Sequence, residues 1–191
     1  MIRTTLVAAT FALFAATGMA SAQTTPIGAP PPTSEADAHP FEFLFGEWVG
    51  TAGGRTAAGP YEVTQTERVG PMLNGDIVVV NGTGYDDEGV AKFQALGIIS
   101  KTPDGAGWHM KSWSGGRQGT FPIELDGTTY KWSLPAGPGA VMSYVATVKG
   151  DQWESIGTYN RDGMDPVETF RMTLKRTGDT GWPAASPVPT R

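Results

Sequence analysis

The chain after residue 60 alternates between apolar and polar positions. From Tyr61 to Val69 the odd-numbered residues form a mainly apolar side and the even-numbered residues a polar side. A period of two predicts a β-strand with one buried face. Comparable runs, separated by turns rich in glycine and aspartate, continue as far as Arg176. The pattern therefore predicts a succession of about nine or ten short strands.

The order of these runs predicts a closed sheet. A glycine-rich first strand follows Trp48, and the other predicted strands cover residues 61–69, 77–80, 90–100, 108–113, 120–125, 129–134, 141–148, 153–159 and 168–176. Asn74-Gly75 predicts a two-residue hairpin turn because both residues accept positive φ. A long meander can close on itself, which removes exposed strand edges. We predict an all-β fold, a single up-and-down antiparallel β-barrel of about 8–10 strands, with an open sandwich as the rival.

The stretch from Phe41 to Gly50 predicts how one end of the barrel is closed. Phe41, Leu44 and Phe45 fall on one turn of a short helix that Gly46 ends. Trp48 then points inward from the first strand. We therefore predict a short N-terminal helical plug at the base of the barrel.

The chain before this stretch is predicted to be an export signal and a linker. Residues 1–22 contain Arg3, an uncharged apolar run and then Ala20-Ser21-Ala22, the order typical of a signal peptide. Residues 23–38 are proline-rich and predict a linker. The predicted barrel domain covers 39–176, and a C-terminal tail covers 177–191. We accordingly expect a periplasmic or secreted protein with no membrane span after signal cleavage.

Composition excludes several classes of function. The formal charge is −5 and only 17% of the residues are charged, so the chain lacks the basic surface of a nucleic-acid-binding protein. It has no cysteine, and His39 and His109 are its two histidines, which argues against thiolate catalysis and against a multi-histidine zinc site. No Gly-x-Ser-x-Gly nucleophile motif occurs. We therefore assign no catalytic residue and no metal ligand, and we favour a monomer.

The order of motifs resembles that of the calycin-type barrels. The resemblance rests on Phe41-x-Phe43-Leu44-x-Gly46-x-Trp48, an interior Glu67 and a last strand that ends in Arg176. More narrowly, the chain resembles a bacterial family of small exported lipocalin-like proteins whose function is not assigned. The resemblance implies that a basic residue of the last strand covers the tryptophan at the barrel base; alternation favours Arg176, with Arg171 second. The predicted structural base is Gly46, Trp48 and Arg176.

The nitrobindin-like heme-binding barrels are a more distant resemblance. They share the Gly-x-Trp-x-Gly opening, here Gly46 to Gly50, and the resemblance implies a heme-ligating histidine near the C-terminal strand. This chain has no histidine after His109. We therefore expect no cofactor and, in particular, no heme.

Candidate ligand-binding residues come from polar and aromatic side chains on predicted inner faces. Gln65 and Glu67 lie on the apolar face of their strand, where a carboxylate needs a donor or a charged partner. They are either an anchor for a ligand head group or a structural pair with Arg176 or Arg117.

Aromatic side chains add to the predicted lining. Trp113 and Arg117 flank a glycine turn that is suited to a barrel mouth, although alternation places Trp113 on the same face as Lys111. Tyr144 and Tyr159 stand on aromatic-rich strands and can orient a ligand with their hydroxyl groups. The ligand-binding set is thus Gln65, Glu67, Trp113, Arg117, Tyr144 and Tyr159.

Three functional hypotheses follow from this set. The first is an exported barrel that binds a small, largely apolar molecule without chemistry. The second is an enzyme, an isomerase, cyclase or hydrolase, that acts on such a molecule through Glu67 with tyrosine or arginine partners. The third is a filled structural barrel of the cell envelope. The absence of a nucleophile motif ranks binding first.

Overall fold

The computed structural model describes residues 38–56 and 59–181, and within them the chain forms a closed antiparallel barrel of ten strands. The strands are β1 Gly46–Thr56, β2 Gly59–Met72, β3 Ile77–Tyr85, β4 Ala91–Lys101, β5 Trp108–Ser114, β6 Arg117–Asp126, β7 Thr129–Gly137, β8 Ala140–Lys149, β9 Gln152–Arg161 and β10 Val167–Gly178. Each strand pairs with its neighbours in sequence, and β1 also pairs with β10. The predicted all-β meander and its closure are confirmed, and the open-sandwich alternative is wrong.

Helical structure within the described residues is limited to two 3₁₀ turns, Glu42–Leu44 and Leu73–Gly75. The second corrects the predicted hairpin, because Met72 pairs with Ile77 and leaves a four-residue connection. Leu73, Asn74 and Gly75 all have positive φ, so the turn is wider than a two-residue one. No described helix has the length and apolar character required to cross a membrane.

The predicted signal peptide and nearly all of the predicted linker lie outside the described residues, as does most of the predicted tail. The described part of that tail still belongs to the sheet, since β10 continues to Gly178. Thr180 then donates its hydroxyl to the Val69 carbonyl oxygen, 2.6 Å away. The chain therefore stays attached to the barrel for a few residues beyond Arg176.

Strand register decides which side chains point into the barrel. Trp48 of β1 lies opposite Glu67 of β2, and Glu67 lies opposite Gly82 of β3. Directly opposed residues share a face of the sheet, so the inner face can be followed around the barrel from pair to pair. Trp48 is fully buried, which identifies its face as the inner one.

The core fills the half of the barrel at which β1 begins. Phe41 and Leu44, at the first 3₁₀ turn, are fully buried and belong to the same cluster as Trp48. The strands contribute the other buried apolar side chains of this cluster, which are Ala52, Val69, Val78, Ile99, Met110, Ile123, Tyr130, Ala146, Val148, Trp153, Met172 and Leu174. We call this half the base and the opposite half the open half.

Candidate ligand-binding site

Inward-facing side chains of the open half remain partly exposed. They are Val63, Phe121, Trp132, Leu134, Met142, Tyr144, Tyr159 and Phe170. An inward-facing side chain of a closed barrel reaches solvent only through the lumen or its mouth. At the rim, the inward-facing Tyr61, Phe93 and Val167 are 41%, 47% and 47% exposed. We call this apolar, partly exposed inner surface of the open half the cup.

The wall of this cup is aromatic on one side. The rings of Trp132 and Tyr144 stack with their centroids 4.2 Å apart and their planes 8° from parallel. Phe121 lies 5.6 Å from Trp132, and Phe170 lies 5.8 Å from Tyr144. These rings form a continuous row across β6, β7, β8 and β10. Such a surface suits the body of a flat or apolar molecule.

Inward-facing glycines allow these rings to lie along the wall. A Cβ at Gly157 would be 2.8 Å from Cε1 of Tyr144, so the tyrosine ring occupies the place of that missing side chain. The ring of Phe121 covers Gly119 in the same way. Because the rings fold back over glycine backbone, they line the lumen instead of crossing it.

Glu67 forms the floor of the cup, at the boundary with the base. Its Oε1 accepts a hydrogen bond from Nε2 of Gln65 at 2.9 Å, whereas its buried Oε2 has no hydrogen-bond partner among the described residues. The carboxylate lies against Gly82, where a Cβ would be 2.5 Å from Oε1. Burial raises the pKa of Glu67 to about 7, and the hydrogen bond from Gln65 opposes this rise.

Glu67 has no arginine partner among the described residues, so the predicted structural pair with Arg176 or Arg117 is wrong. Arg176 lies instead over the Trp48 ring, with Cζ 4.2 Å from its centroid, and Nη2 donates to the Phe43 carbonyl oxygen at 2.9 Å. Arg117 is exposed at the start of β6. Each arginine is held at an end of the barrel, whereas Glu67 lies between the ends, so neither neutralises it.

Below Glu67 lie two polar side chains that the sequence indicated only as core. Burial raises the pKa of Tyr130, and the nearby charge of Glu67 raises it further. Trp153 lies beside that hydroxyl, where it opposes the rise in pKa, and packs edge-on against Trp48 at 5.6 Å. Alternation predicts that both side chains face inward. It does not predict that they lie near Glu67 of β2, because that depends on distances across the barrel.

The other candidate residues divide between the inside and the outside. Tyr144 and Tyr159 face the lumen, whereas Trp113 faces outward, opposite Leu96, with Nζ of Lys111 5.2 Å from its ring. Trp113 and Arg117 border an open groove beside the β5–β6 turn, where the register puts Arg117 at the end of the inner face. Thus Gln65, Glu67, Tyr144 and Tyr159 face the same lumen, and Trp113 lies outside it.

The barrel is similar to a solved structure, the "Crystal Structure of Rv2717c from M. tuberculosis". The match has a TM-score of 0.53 and 12% sequence identity, and it covers 71% of this chain and 93% of that chain. At this identity the similarity concerns the fold alone. No protein-family model matches the chain, and no curated protein matches it in sequence.

Proposed function

We propose that this protein is a carrier that binds a small, largely apolar molecule in the open half of its barrel. The supporting observation is the cup itself, in which partly exposed aromatic side chains surround a floor made by Glu67. A concave apolar surface with a few converging polar groups is the common form of a small-molecule site. The ligand body would lie on the Trp132–Tyr144 row, and its polar end would reach Gln65 and Glu67.

The finer assignment of the fold belongs to this proposal. A calycin-type barrel with Phe41 and Leu44 as its plug would be closed at the base and loaded from the opposite end. We further propose that the protein acts as a monomer in the periplasm or outside the cell, after removal of residues 1–22. The mature protein recovered from cells should then begin at Gln23, as N-terminal sequencing would show; a mature protein beginning at Met1 would contradict export.

Lumen filling tests the binding site. Ala95 faces inward, opposite Gly82, whereas the neighbouring Gln94 faces outward. The neutral apolar probe N-phenyl-1-naphthylamine should become fluorescent with the wild type and with Gln94→Trp, but not with Ala95→Trp, because the new indole occupies the lumen. Matching melting curves for the two variants would show that both are folded. Two outcomes would contradict the proposed site. One is equal probe binding by Gln94→Trp and Ala95→Trp, and the other is no probe binding by the wild type or by either variant.

Acid–base catalysis on the bound molecule is the second candidate, and one observation favours it. A carboxyl group whose pKa is about 7 is suited to both accepting and donating a proton at neutral pH. Native mass spectrometry of the purified protein would detect a retained molecule. Incubation of this complex in D₂O then separates the functions: a carrier returns its ligand with no deuterium on carbon, whereas Glu67-dependent deuterium uptake at carbon indicates catalysis.

A further inference from the structure

The inner surface of the barrel carries an unusual balance of charge. Among the described residues, the inward-facing side chains that carry a formal charge and lie at the two ends of the barrel are Lys101, Arg117, Arg161 and Arg176. Between the two ends, Glu67 is the one charged side chain on the described inner face. The lumen therefore offers an acid at its floor and no base beside it.

We propose that the lumen selects molecules with a protonated amine on an apolar body and discriminates against fatty acids and other carboxylates. This inference rests on the proposed carrier function and names the class of its ligand. It follows from hydrogen bonding at the floor, from the aromatic wall and from the groups that surround Glu67.

Hydrogen bonding at the floor favours a donor. One oxygen of Glu67 is satisfied by Gln65 and the other has no partner among the described residues, so the ionised group has an unused acceptor. An ammonium group has three donors and no acceptor, which complements this carboxylate. A ligand carboxylate supplies only acceptors and a second negative charge, so it would be repelled at the same place.

The aromatic wall also favours an amine over a carboxylate. The faces of indole and phenol rings attract cations, and this attraction grows when the cation is desolvated. Trp132 and Tyr144 face the lumen one inward position nearer the open end than Tyr130 and Ala146. The wall can therefore hold an amine on its way to Glu67, whereas an anion gains nothing from the ring faces.

The neighbours of Glu67 allow its charge to control this selectivity. Facing it are Trp48 from β1, Gln65 and Val69 from β2, Gly82 from β3, Tyr130 from β7 and Trp153 from β9. Of these, only Tyr130 titrates, and burial keeps its hydroxyl protonated across neutral pH by raising its pKa. Ionisation of Glu67 is thus the event that changes the floor from neutral to negative.

Three probes with the same alkyl chain but different head groups test the proposal. Decylamine, decanol and decanoate should be compared by displacement of N-phenyl-1-naphthylamine from the whole protein at pH 8, where Glu67 is mostly ionised. We expect decylamine to bind about tenfold or more tightly than decanoate, the effect typical of one charge-assisted hydrogen bond. The advantage of the amine should decrease at pH 5.5, because Glu67 is then protonated.

Two variants test whether Glu67 causes the preference for the amine. Glu67→Gln keeps the size of the side chain but removes its charge, so it should remove most of the preference for decylamine over decanoate; decanol binding by the same variant measures any general loss of the site. Glu62→Gln is the matched control, because Glu62 lies on the same strand but is exposed on the outer face, and it should leave the preference unchanged. An equal loss in both variants would mean that the amine responds to the overall surface charge, which would overturn the proposal.

Failure of the inference is distinguishable from failure of the carrier function. If the probe binds and decanol displaces it, but decanoate competes as well as decylamine or Glu67→Gln keeps the preference, then the cup is a ligand site without selection for amines. If the probe does not bind to the wild type at all, the carrier function itself is wrong and the amine proposal is overturned with it.

Discussion

Two tryptophans of the same barrel illustrate the difference between its halves. Trp48 in the base is fully buried, packed against Trp153 and hydrogen-bonded through Nε1 to the Leu44 carbonyl oxygen at 2.9 Å. Trp132 in the open half also faces inward but remains partly exposed, with Tyr144 stacked on it. The base receives extra apolar side chains from the 3₁₀ turn before β1. The open half has no such contribution among its described residues, so its inward-facing rings form a surface instead of a core.

The largest effect should come from deleting each tryptophan. Trp48→Ala should lower the free energy of unfolding by about 3–5 kcal/mol, because it leaves a large cavity in a close-packed region. Trp132→Ala should cost only about 1–2 kcal/mol, since solvent already reaches that ring and mainly the stacking is lost. Chemical denaturation of both variants measures the difference. Equal losses would mean that the open half is packed as tightly as the base.

Glu67, at the boundary between the halves, should make stability depend on pH. Its pKa is raised from 4.5 in the unfolded chain to about 7 in the folded one, so the folded protein holds more protons between these values. Stability from this group should therefore fall as pH rises from about 4.5 to 7 and stay level above, by at most about 3 kcal/mol. Denaturation of wild type and Glu67→Gln across pH 4–8 measures this, with Glu62→Gln as the control. A decline of the same size in Glu67→Gln would assign it to another group.

A smaller effect is expected where Arg176 covers the base. Arg176→Lys keeps the charge but loses the planar stack on Trp48, so the two side chains should be coupled by about 0.5–2 kcal/mol. Melting curves of Arg176→Lys, Trp48→Ala and the double mutant measure the coupling. Strictly additive changes would show that the observed contact contributes no stability of its own.

The smallest effect is expected on adding hemin, which would test whether the open half accepts a metalloporphyrin. His109 lies on the outer face, where its Nε2 is 3.2 Å from the Ser100 hydroxyl, and no histidine follows it in the sequence. Hemin titration should therefore give no sharp Soret band from a histidine-ligated iron. A tight complex that His109→Ala abolishes would contradict this prediction.

Local pattern was enough to predict the strands and their closure. Alternation from Tyr61 to Val69 indicated the inner face of β2 correctly, because one buried face imposes a period of two whatever the partner strand is. That a basic residue of the last strand covers Trp48 was implied by the resemblance to calycin-type barrels; alternation chose Arg176 over Arg171, and the register puts Arg176 opposite Trp48. The width of the turn at Asn74 was not predictable in this way, because the positive φ of Leu73 is not favoured by that residue type.

The sequence by itself therefore determined the class of fold and the inward orientation of Gln65, Glu67, Tyr144 and Tyr159. Only the tertiary structure decided that Glu67 has no arginine beside it and that Tyr130 and Trp153 lie beneath it. These relations join strands far apart in the sheet, and they depend on how barrel diameter, tilt and register bring opposite walls together. Alternation reports which way a side chain points, whereas the partner it meets across the lumen is set by the closed barrel as a whole.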